Sequence, residues 1–219
     1  MGAVIGNGME IHPPVNSIQS PREFFVHLSM ITIGILIALG LEQSVEAWHR
    51  HELGVQAREN ILSELRDNQR ELDQERNLAA RNKARLEHTL DVLRQLQAHK
   101  KLTESTLSIN MSGADLSSTS WTTAATTGAI ACMGYSQAKR FAKAYEGQTL
   151  LQRVQEEGIH MAAQTMATVA YSANGPDHLS DEQLRNCERQ VENCLAQLDI
   201  WSQIASQLSD EYARVLKGQ

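Results

Sequence analysis

The sequence predicts an all-α protein in which an N-terminal transmembrane helix is continuous with a long helix and an elongated antiparallel helical bundle. Three observations lead to this fold class. Helix-forming residues dominate the composition, and only 5% of the residues are aromatic and four are proline. An uncharged apolar segment lies near the N-terminus. Apolar residues recur every seven positions farther along the chain.

The chain divides into three parts. Residues 1–22 contain three of the four prolines and show no helical period, which indicates an irregular N-terminal tail. Residues 23–47 form the predicted transmembrane helix and its juxtamembrane extension, and residues 48–219 form the bundle domain. Pro21 directly follows Ser20 and is a favourable residue for the first turn of a helix.

The segment 24–41 reads FFVHLSMITIGILIALGL and contains no Asp, Glu, Lys or Arg. Its 18 residues reach the length that a membrane-spanning helix needs, about 18–20 residues for a hydrocarbon core of about 30 Å. A signal peptide cleaved near residues 45–47 and a buried core helix are the alternatives. We favour an uncleaved anchor, because the apolar run exceeds a normal signal-peptide core and the residues before it are hardly basic.

One stripe of this helix has a distinctive chemistry. Gly34 and Ala38 form a small-xxx-small pair, the pattern that lets transmembrane helices approach closely, and His27 lies on the same face. We interpret His27, Gly34 and Ala38 as a candidate membrane-helix interface. A histidine near the membrane surface, with its ring directed toward water, and ligation of a pigment or haem through the imidazole are the alternatives. No cofactor is otherwise expected.

A single helix is predicted over 22–101, with Gly54 as its weak point. Beyond the membrane segment, one stripe of this helix is apolar at every seventh residue, whereas the companion stripe is mostly polar. One apolar stripe is typical of a helix that packs on one side only, so we expect its charged residues to face solvent. The apolar stripe is Leu65, Leu72, Ala79, Leu86 and Leu93; the companion stripe is Ile61, Asn68, Glu75, Asn82 and Thr89; the charged residues are Glu59, Glu64, Arg66, Asp67, Arg70, Glu71, Asp73, Glu75 and Arg76.

The middle of the chain is less regular. Residues 103–120 are rich in Ser and Thr and are predicted to form a loop. A short helix is predicted over 119–132, and Gly134 after it is expected to break the helix. A long helix is predicted to follow over 136–171. With the last helix, these long helices predict three antiparallel rods of similar length.

The last helix, predicted over 181–216, has the clearest pattern. A turn at 174–177 precedes it, and Ser180 with Gln183 three residues later forms a capping box. Both of its heptad stripes are largely apolar, which is typical of a coiled-coil or bundle helix. The predicted bundle seam includes Leu184, Cys187, Val191, Cys194, Leu198, Trp201 and Leu208, and the same two stripes continue through Ala205, Tyr212 and Val215.

No catalytic or metal-binding motif stands out, so the chain is not expected to be an enzyme. The histidines lack metal-ligand spacing, and Cys132, Cys187 and Cys194 form no paired motif, so the cysteines are interpreted as small buried hydrophobic residues. Tyr145 and Gln148 are interpreted as core contacts. The formal charge of -6 gives no basic surface for nucleic acid, so no nucleic-acid partner is expected.

The sequence IGILIALGLEQSVEAWHRH, followed by ARENILSELRDN and later by WTTAATTGA, resembles a group of uncharacterised bacterial membrane-anchored proteins with an N-terminal GILIAL-type transmembrane helix and a domain of unknown function. The resemblance implies membrane placement and helical character and no activity. We expect a single-pass scaffold or accessory subunit that stabilises a larger bacterial membrane complex. Its partners would be other membrane subunits and the lipid bilayer. The alternative is a membrane-tethered sensor or ligand-binding module.

The expected location is the bacterial inner membrane, with the C-terminal domain in the periplasm. Lys and Arg residues near the membrane segment are too few to set the orientation by the positive-inside rule. The periplasmic placement therefore rests on the acidic character of the bundle behind a short anchor.

Overall fold

A computed structural model of the chain describes residues 20–98, 107, 109–170 and 179–218. This part of the chain is helical with no β-strand, which confirms the prediction of an all-α helical bundle. Its elements are α1 (Pro21–Gln97), α2 (Thr119–Thr126), a 3₁₀ helix (Ala129–Cys132), α3 (Tyr135–Ala170) and α4 (Asp181–Lys217).

The chain forms two compact units, Met1–His49 and Arg50–Gln219. Within the first unit, the described residues begin with Ser20 and the first turns of α1. Residues 1–19 of the predicted tail lie outside the described residues, as do the end of the predicted first helix at 99–101 and the predicted turn at 174–177. The second unit contains the bundle.

Helix α4 runs antiparallel to α1. Lys83 of α1 contacts Asp199 of α4 at 2.7 Å, while Arg94, farther along α1, contacts Glu188, which is earlier in α4, at 2.9 Å. These pairs lie at the surface, and exposed ion pairs contribute little stability. Their value here is that they define the direction and register of the two helices.

Helix α3 runs parallel to α1, which corrects the prediction that all three long helices alternate in direction. Glu64 contacts Tyr145 and Asn68 contacts Gln148, so residue numbers rise together along the two helices. The physical reason is the connection between them, which returns along the bundle before α3 begins. The antiparallel relation holds for α4 against both α1 and α3.

Helix α4 begins at the predicted capping box. The Gln183 backbone N–H donates to Ser180 Oγ at 3.3 Å, and the Ser180 N–H donates to Gln183 Oε1 at 2.9 Å. These reciprocal bonds satisfy backbone donors that the first turn of a helix leaves unpaired.

The core of the bundle follows the apolar stripes of the long helices. The α4 residues that it buries are Leu184, Cys187, Val191, Cys194, Leu198, Trp201, Ala205, Leu208, Tyr212 and Val215.

The helix predicted over 119–132 is interrupted. Gly128 has a left-handed backbone with φ of 77°, a conformation that glycine adopts without steric cost, and this residue separates α2 from the 3₁₀ helix. Helix α1 continues through Gly54, as the prediction of a single helix requires. A Cβ atom at Gly54 would lie 2.7 Å from the carbonyl oxygen of Cys132, so glycine permits close packing against the 3₁₀ helix.

Candidate functional site

The companion stripe of α1 is buried although it is polar. Asn68, Glu75 and Asn82 are each no more than 6% exposed, and Glu64 is 8% exposed. The prediction that this side of α1 is a solvated charged face is therefore wrong for Glu64 and Glu75. Because buried polar groups need hydrogen-bond partners, another part of the chain must cover this stripe.

Residues 109–118, which we name the strap, cover it. The hydroxyl of Ser112 donates to Glu75, and that of Ser117 donates to Glu64 at 2.8 Å. The 11 residue steps of α1 from Glu64 to Glu75 rise about 17 Å at 1.5 Å per residue. The five residue steps from Ser112 to Ser117 cover about 17 Å only as an extended chain, at about 3.3 Å per residue. The strap is thus an extended segment that runs antiparallel to α1.

The strap is seated by apolar side chains on one of its faces. Ala114 and Leu116 are buried, while the intervening Asp115 and the following Ser117 are exposed. This alternation is the period of two expected for an extended backbone. Ile109 is also buried, so the predicted loop is an integral part of the core rather than a surface connection.

An asparagine of α1 binds the main chain of the strap in both directions. Asn68 Nδ2 donates to the carbonyl oxygen of Ser117 at 2.7 Å, and the Ser117 N–H donates to Asn68 Oδ1 at 2.9 Å. The side-chain amide thereby replaces the partner that a neighbouring strand would provide in a sheet. Farther along α1, Asn82 Nδ2 donates to Ser112 Oγ at 3.3 Å.

Three glutamines of α3 bind the same segment from the other side. Gln148 Nε2 donates to the carbonyl oxygens of Leu116 and Ser117 at 3.1 and 3.0 Å. Gln152 Nε2 donates to the Leu116 carbonyl at 3.0 Å, and Gln155 Nε2 donates to the Ala114 carbonyl at 3.2 Å. The strap therefore lies in a groove between α1 and α3 whose walls carry side-chain amides directed at its backbone.

Glycines allow the strap and α3 to approach closely. A Cβ atom at Gly113 of the strap would collide with the side chain of Gln155, at distances near 2 Å. On α3, a Cβ atom at Gly158 would lie 2.5 Å from Cε of Met111. Such distances lie inside normal van der Waals contact, so larger residues at either position would displace a neighbouring side chain.

Glu64 connects the strap to three helices. Its Oε2 accepts hydrogen bonds from Ser117 Oγ and from the Ser120 N–H, both at 2.8 Å, and its Oε1 accepts one from Tyr145 at 2.6 Å. Burial disfavours the charged form, but the bonds from Ser120, Tyr145 and Ser117 outweigh it and hold the pKa of Glu64 below its usual value. Because the Ser120 N–H lies in its first turn, α2 is capped by a carboxylate from α1.

Two tyrosines complete the buried network. Tyr212 of α4 donates to Gln148 Oε1 at 2.7 Å, and the Tyr145 ring stacks on Trp121 with centroids 5.3 Å apart. Burial, and secondarily the hydrogen bond to Glu64, raises the pKa of Tyr145 far above its usual value; burial likewise raises the pKa of Tyr212. Both phenols therefore stay protonated and act as hydrogen-bond donors.

The predicted membrane-helix interface lies in the first unit. His27, Gly34 and Ala38 are all exposed, and, apart from its chain neighbours and the backbone of its own helix, no atom lies within 4 Å of a Cβ built at Gly34. The nearby hydroxyls of Ser29 and Thr32 donate to backbone carbonyls one turn earlier, both at 2.8 Å. The apolar segment thus satisfies these hydroxyls within its own helix, as a segment in lipid requires.

The predicted bundle seam of α4 is buried in the second unit at every position. Leu184, Cys187, Val191, Cys194, Leu198, Trp201 and Leu208 are at most 4% exposed. Burial raises the pKa of the Cys187 and Cys194 thiols, which makes them poor nucleophiles at neutral pH. The described residues contain no cluster of three or more His, Cys, Asp or Glu suited to a metal ion.

Sequence reasoning missed the strap groove. The available signal was the spacing of its residues, since Asn68, Glu75 and Asn82 recur every seven positions in register with the leucine stripe. Gln148, Gln152 and Gln155 likewise fall on one helical face at i, i+4 and i+7.

The chain matches no known protein family, no curated protein and no solved structure.

Proposed function

We propose that this chain is a single-pass membrane protein of the bacterial inner membrane, whose helical domain serves as a scaffold or accessory subunit of a larger membrane complex. The observation that carries the proposal is the exposed apolar surface of residues 24–41. The helix that contains them is the one candidate membrane span among the described residues, and none of its apolar window is buried.

The exposed apolar side chains of residues 24–41 favour a lipid environment over water. Full burial of one large apolar side chain is worth about 1.5–3 kcal/mol, so leaving a whole apolar helix in water is very costly. A bilayer removes this cost, and the absence of charged residues from 24–41 removes the main penalty against insertion. The exposed residues are Phe24, Phe25, Val26, Leu28, Met30, Ile31, Ile33, Ile35, Leu36, Ile37, Leu39 and Leu41.

The scaffold function is supported by the structural use that the bundle makes of its buried polar side chains. Its buried Glu64, Gln148 and Tyr212 are engaged in hydrogen bonds that hold its own strap and helices together. The thiols and phenols of the core are held in their protonated forms. We propose that residues 48–219 lie in the periplasm and present a rigid surface to partner subunits.

Purification in a mild detergent tests the proposal, with three variants of the membrane helix as probes. Gly34→Leu adds bulk where a partner backbone would approach, and we expect normal membrane levels with loss of co-purifying subunits. His27→Leu should give a milder loss. The matched control Ile35→Leu, which changes a different side of the helix, should retain its partners. Undiminished recovery with Gly34→Leu would exclude this stripe as the interface, and an isolated chain with a bound small molecule would instead favour the sensor alternative.

A further inference from the structure

We propose that Leu41, Val45 and Trp48 form an interfacial anchor, in which Trp48 lies among the lipid headgroups on the side of the bilayer where α1 leaves it. The inference rests on the proposed membrane anchoring and deepens it, since it names the residue that fixes the depth of the helix and the part of the lipid that this residue contacts. It concerns the first compact unit, Met1–His49, alone.

An apolar stripe continues along α1 beyond the uncharged segment 24–41. Leu41, Val45 and Trp48 follow one another at spacings of four and three residues, so they lie on one side of the helix. These residues are 64%, 66% and 67% exposed. Glu42 and Gln43 face other directions and are polar. A helix surface of this mixed character suits the headgroup layer, which is apolar on its inner side and hydrated on its outer side.

Trp48 differs from the two other tryptophans of the chain. Trp201 is 2% exposed in the core of the bundle, and Trp121 packs against that core and stacks on Tyr145 with ring centroids 5.3 Å apart. Tryptophan concentrates at membrane–water interfaces because its ring is largely apolar, while its indole N–H requires a hydrogen-bond acceptor. Lipid headgroups supply phosphate and ester oxygens as acceptors, so they match the chemistry of the exposed Trp48 ring.

The position of Trp48 along α1 matches the depth of the headgroup layer. With Leu41 at the edge of the hydrocarbon core, the Cα atom of Trp48 lies about 10 Å farther along the helix, at 1.5 Å per residue. Helical side chains incline toward the N-terminus and cover the turn before their own residue, which brings the indole ring to about 5 Å from the core. The headgroup layer on each side of a bilayer is about 5–7 Å thick, so the ring lies within it.

The size of these side chains favours lipid over another helix as their neighbour. Close helix pairs in membranes use small residues such as Gly34 and Ala38, because these let two backbones approach. Val45 and Trp48 are larger and would hold a second backbone away at their own level. The anchor therefore complements the predicted interface at Gly34 and Ala38: a partner packs within the hydrocarbon core, and headgroups surround Trp48.

Quenching of tryptophan fluorescence by brominated lipid tests the anchor. The full chain is reconstituted in phosphatidylcholine vesicles whose acyl chains carry bromine either near the headgroup or near the methyl end, and comparison with Trp48→Phe isolates the contribution of Trp48. We expect bromine near the headgroup to quench this contribution at least twofold more than bromine near the methyl end. Trp48→Phe should lose the quenching, because Trp121 and Trp201 belong to the bundle.

Leu41→Trp, introduced into the Trp48→Phe chain, is the matched control for depth. It places an indole ring on the same side of α1 but two turns deeper, about 10 Å at 1.5 Å per residue. Bromine near the methyl end should quench this ring at least as strongly as bromine near the headgroup. If the Trp48 contribution shows the same depth profile as the Leu41→Trp control, the headgroup placement is overturned.

Flotation of the vesicles separates this inference from membrane anchoring. A chain that floats with the vesicles while Trp48 escapes quenching overturns the inference alone, whereas a chain that fails to float contradicts both proposals. Protection of Trp48 that disappears at a higher lipid-to-protein ratio would assign the stripe to a second copy of the chain. Protection that appears only when co-purified subunits are reconstituted with the chain would assign it to a partner subunit, and either result would overturn the inference.

Discussion

Tyr145 of α3 donates a hydrogen bond of 2.6 Å to the buried carboxylate of Glu64 on α1. The bond joins the two parallel helices at the level where α2 begins, because the same carboxylate also accepts the N–H of Ser120. A residue that the sequence assigns to a charged surface is thus a central connection of the bundle. Its removal should affect the strap, α2 and α3 together.

The first prediction concerns the pH dependence of this connection. The pKa of Glu64 is lowered in the folded state, so the carboxylate stabilises the fold above its unfolded pKa of about 4.3. That contribution is lost as the pH falls through the lower folded pKa. Glu64→Gln keeps the shape of the side chain but can place an amide donor opposite the Ser120 N–H, where the wild type has an acceptor. The substitution should lower the free energy of unfolding by about 1–3 kcal/mol at pH 7.

Urea unfolding of the wild type and of Glu64→Gln at pH 7 and pH 3 measures the effect. The difference in free energy of unfolding between the two proteins should shrink at pH 3, because this pH lies below the unfolded pKa of Glu64 and the unfolded wild type then binds a proton that the folded state resists. Glu59→Gln, at an exposed position on the same helix, is the control and should change little. A difference that stays constant from pH 7 to pH 3 would show that ionised Glu64 does not stabilise the fold.

The second prediction concerns the α4 seam. Leu198 is 3% exposed, so Leu198→Asp would bury an unpaired charge and should destabilise the bundle by several kcal/mol. Arg189 is exposed on the same helix, and Arg189→Asp should change stability little. Thermal unfolding followed by circular dichroism measures both, and equal melting temperatures for Leu198→Asp and the wild type would refute the seam assignment.

The third prediction concerns the close approach at Gly54. The added methyl group in Gly54→Ala would lie 2.7 Å from the backbone oxygen of Cys132, and backbone atoms cannot move aside as a side-chain tip can. We expect a loss of about 1–3 kcal/mol in the free energy of unfolding, despite the better helix propensity of alanine.

Gly147→Ala in α3 is the matched control for Gly54→Ala. There the added methyl group would lie 3.3 Å from Cδ1 of Leu208, which is the end of a flexible side chain. The gain in helix propensity should therefore roughly offset the cost of the close contact, so that the free energy of unfolding changes little. If urea unfolding gives the two alanine variants the same stability, the contact between α1 and the 3₁₀ helix is not tightly packed.

The sequence predicted the parts of this fold that depend on local periodicity. The apolar positions of α4, from Leu184 to Val215, recur in two heptad stripes, and the structure buries them. The capping box at Ser180 was likewise visible, since its residues are three apart. Such features depend on one helix and can be deduced from that helix alone.

The strap groove could not be deduced in the same way. A polar residue at a heptad position normally indicates solvent exposure, and Asn68 and Glu75 are buried only because an extended segment more than thirty residues away in sequence supplies their partners. The same segment reverses the expected direction of α3. The polar residues of α1 and α3 have a helical spacing, but that spacing does not say which distant segment covers them or in which direction the chain returns.

Membrane anchoring by residues 24–41 is the central claim of the functional account, and extraction of bacterial membranes with alkaline carbonate tests it most directly. The chain should remain in the membrane pellet without cleavage, because an apolar helix that spans a bilayer resists alkaline extraction, and the helix that contains 24–41 is a candidate membrane span. A chain that lacks residues 1–47 should appear in the supernatant as a soluble helical protein. Release of the full-length chain into the supernatant would contradict the account.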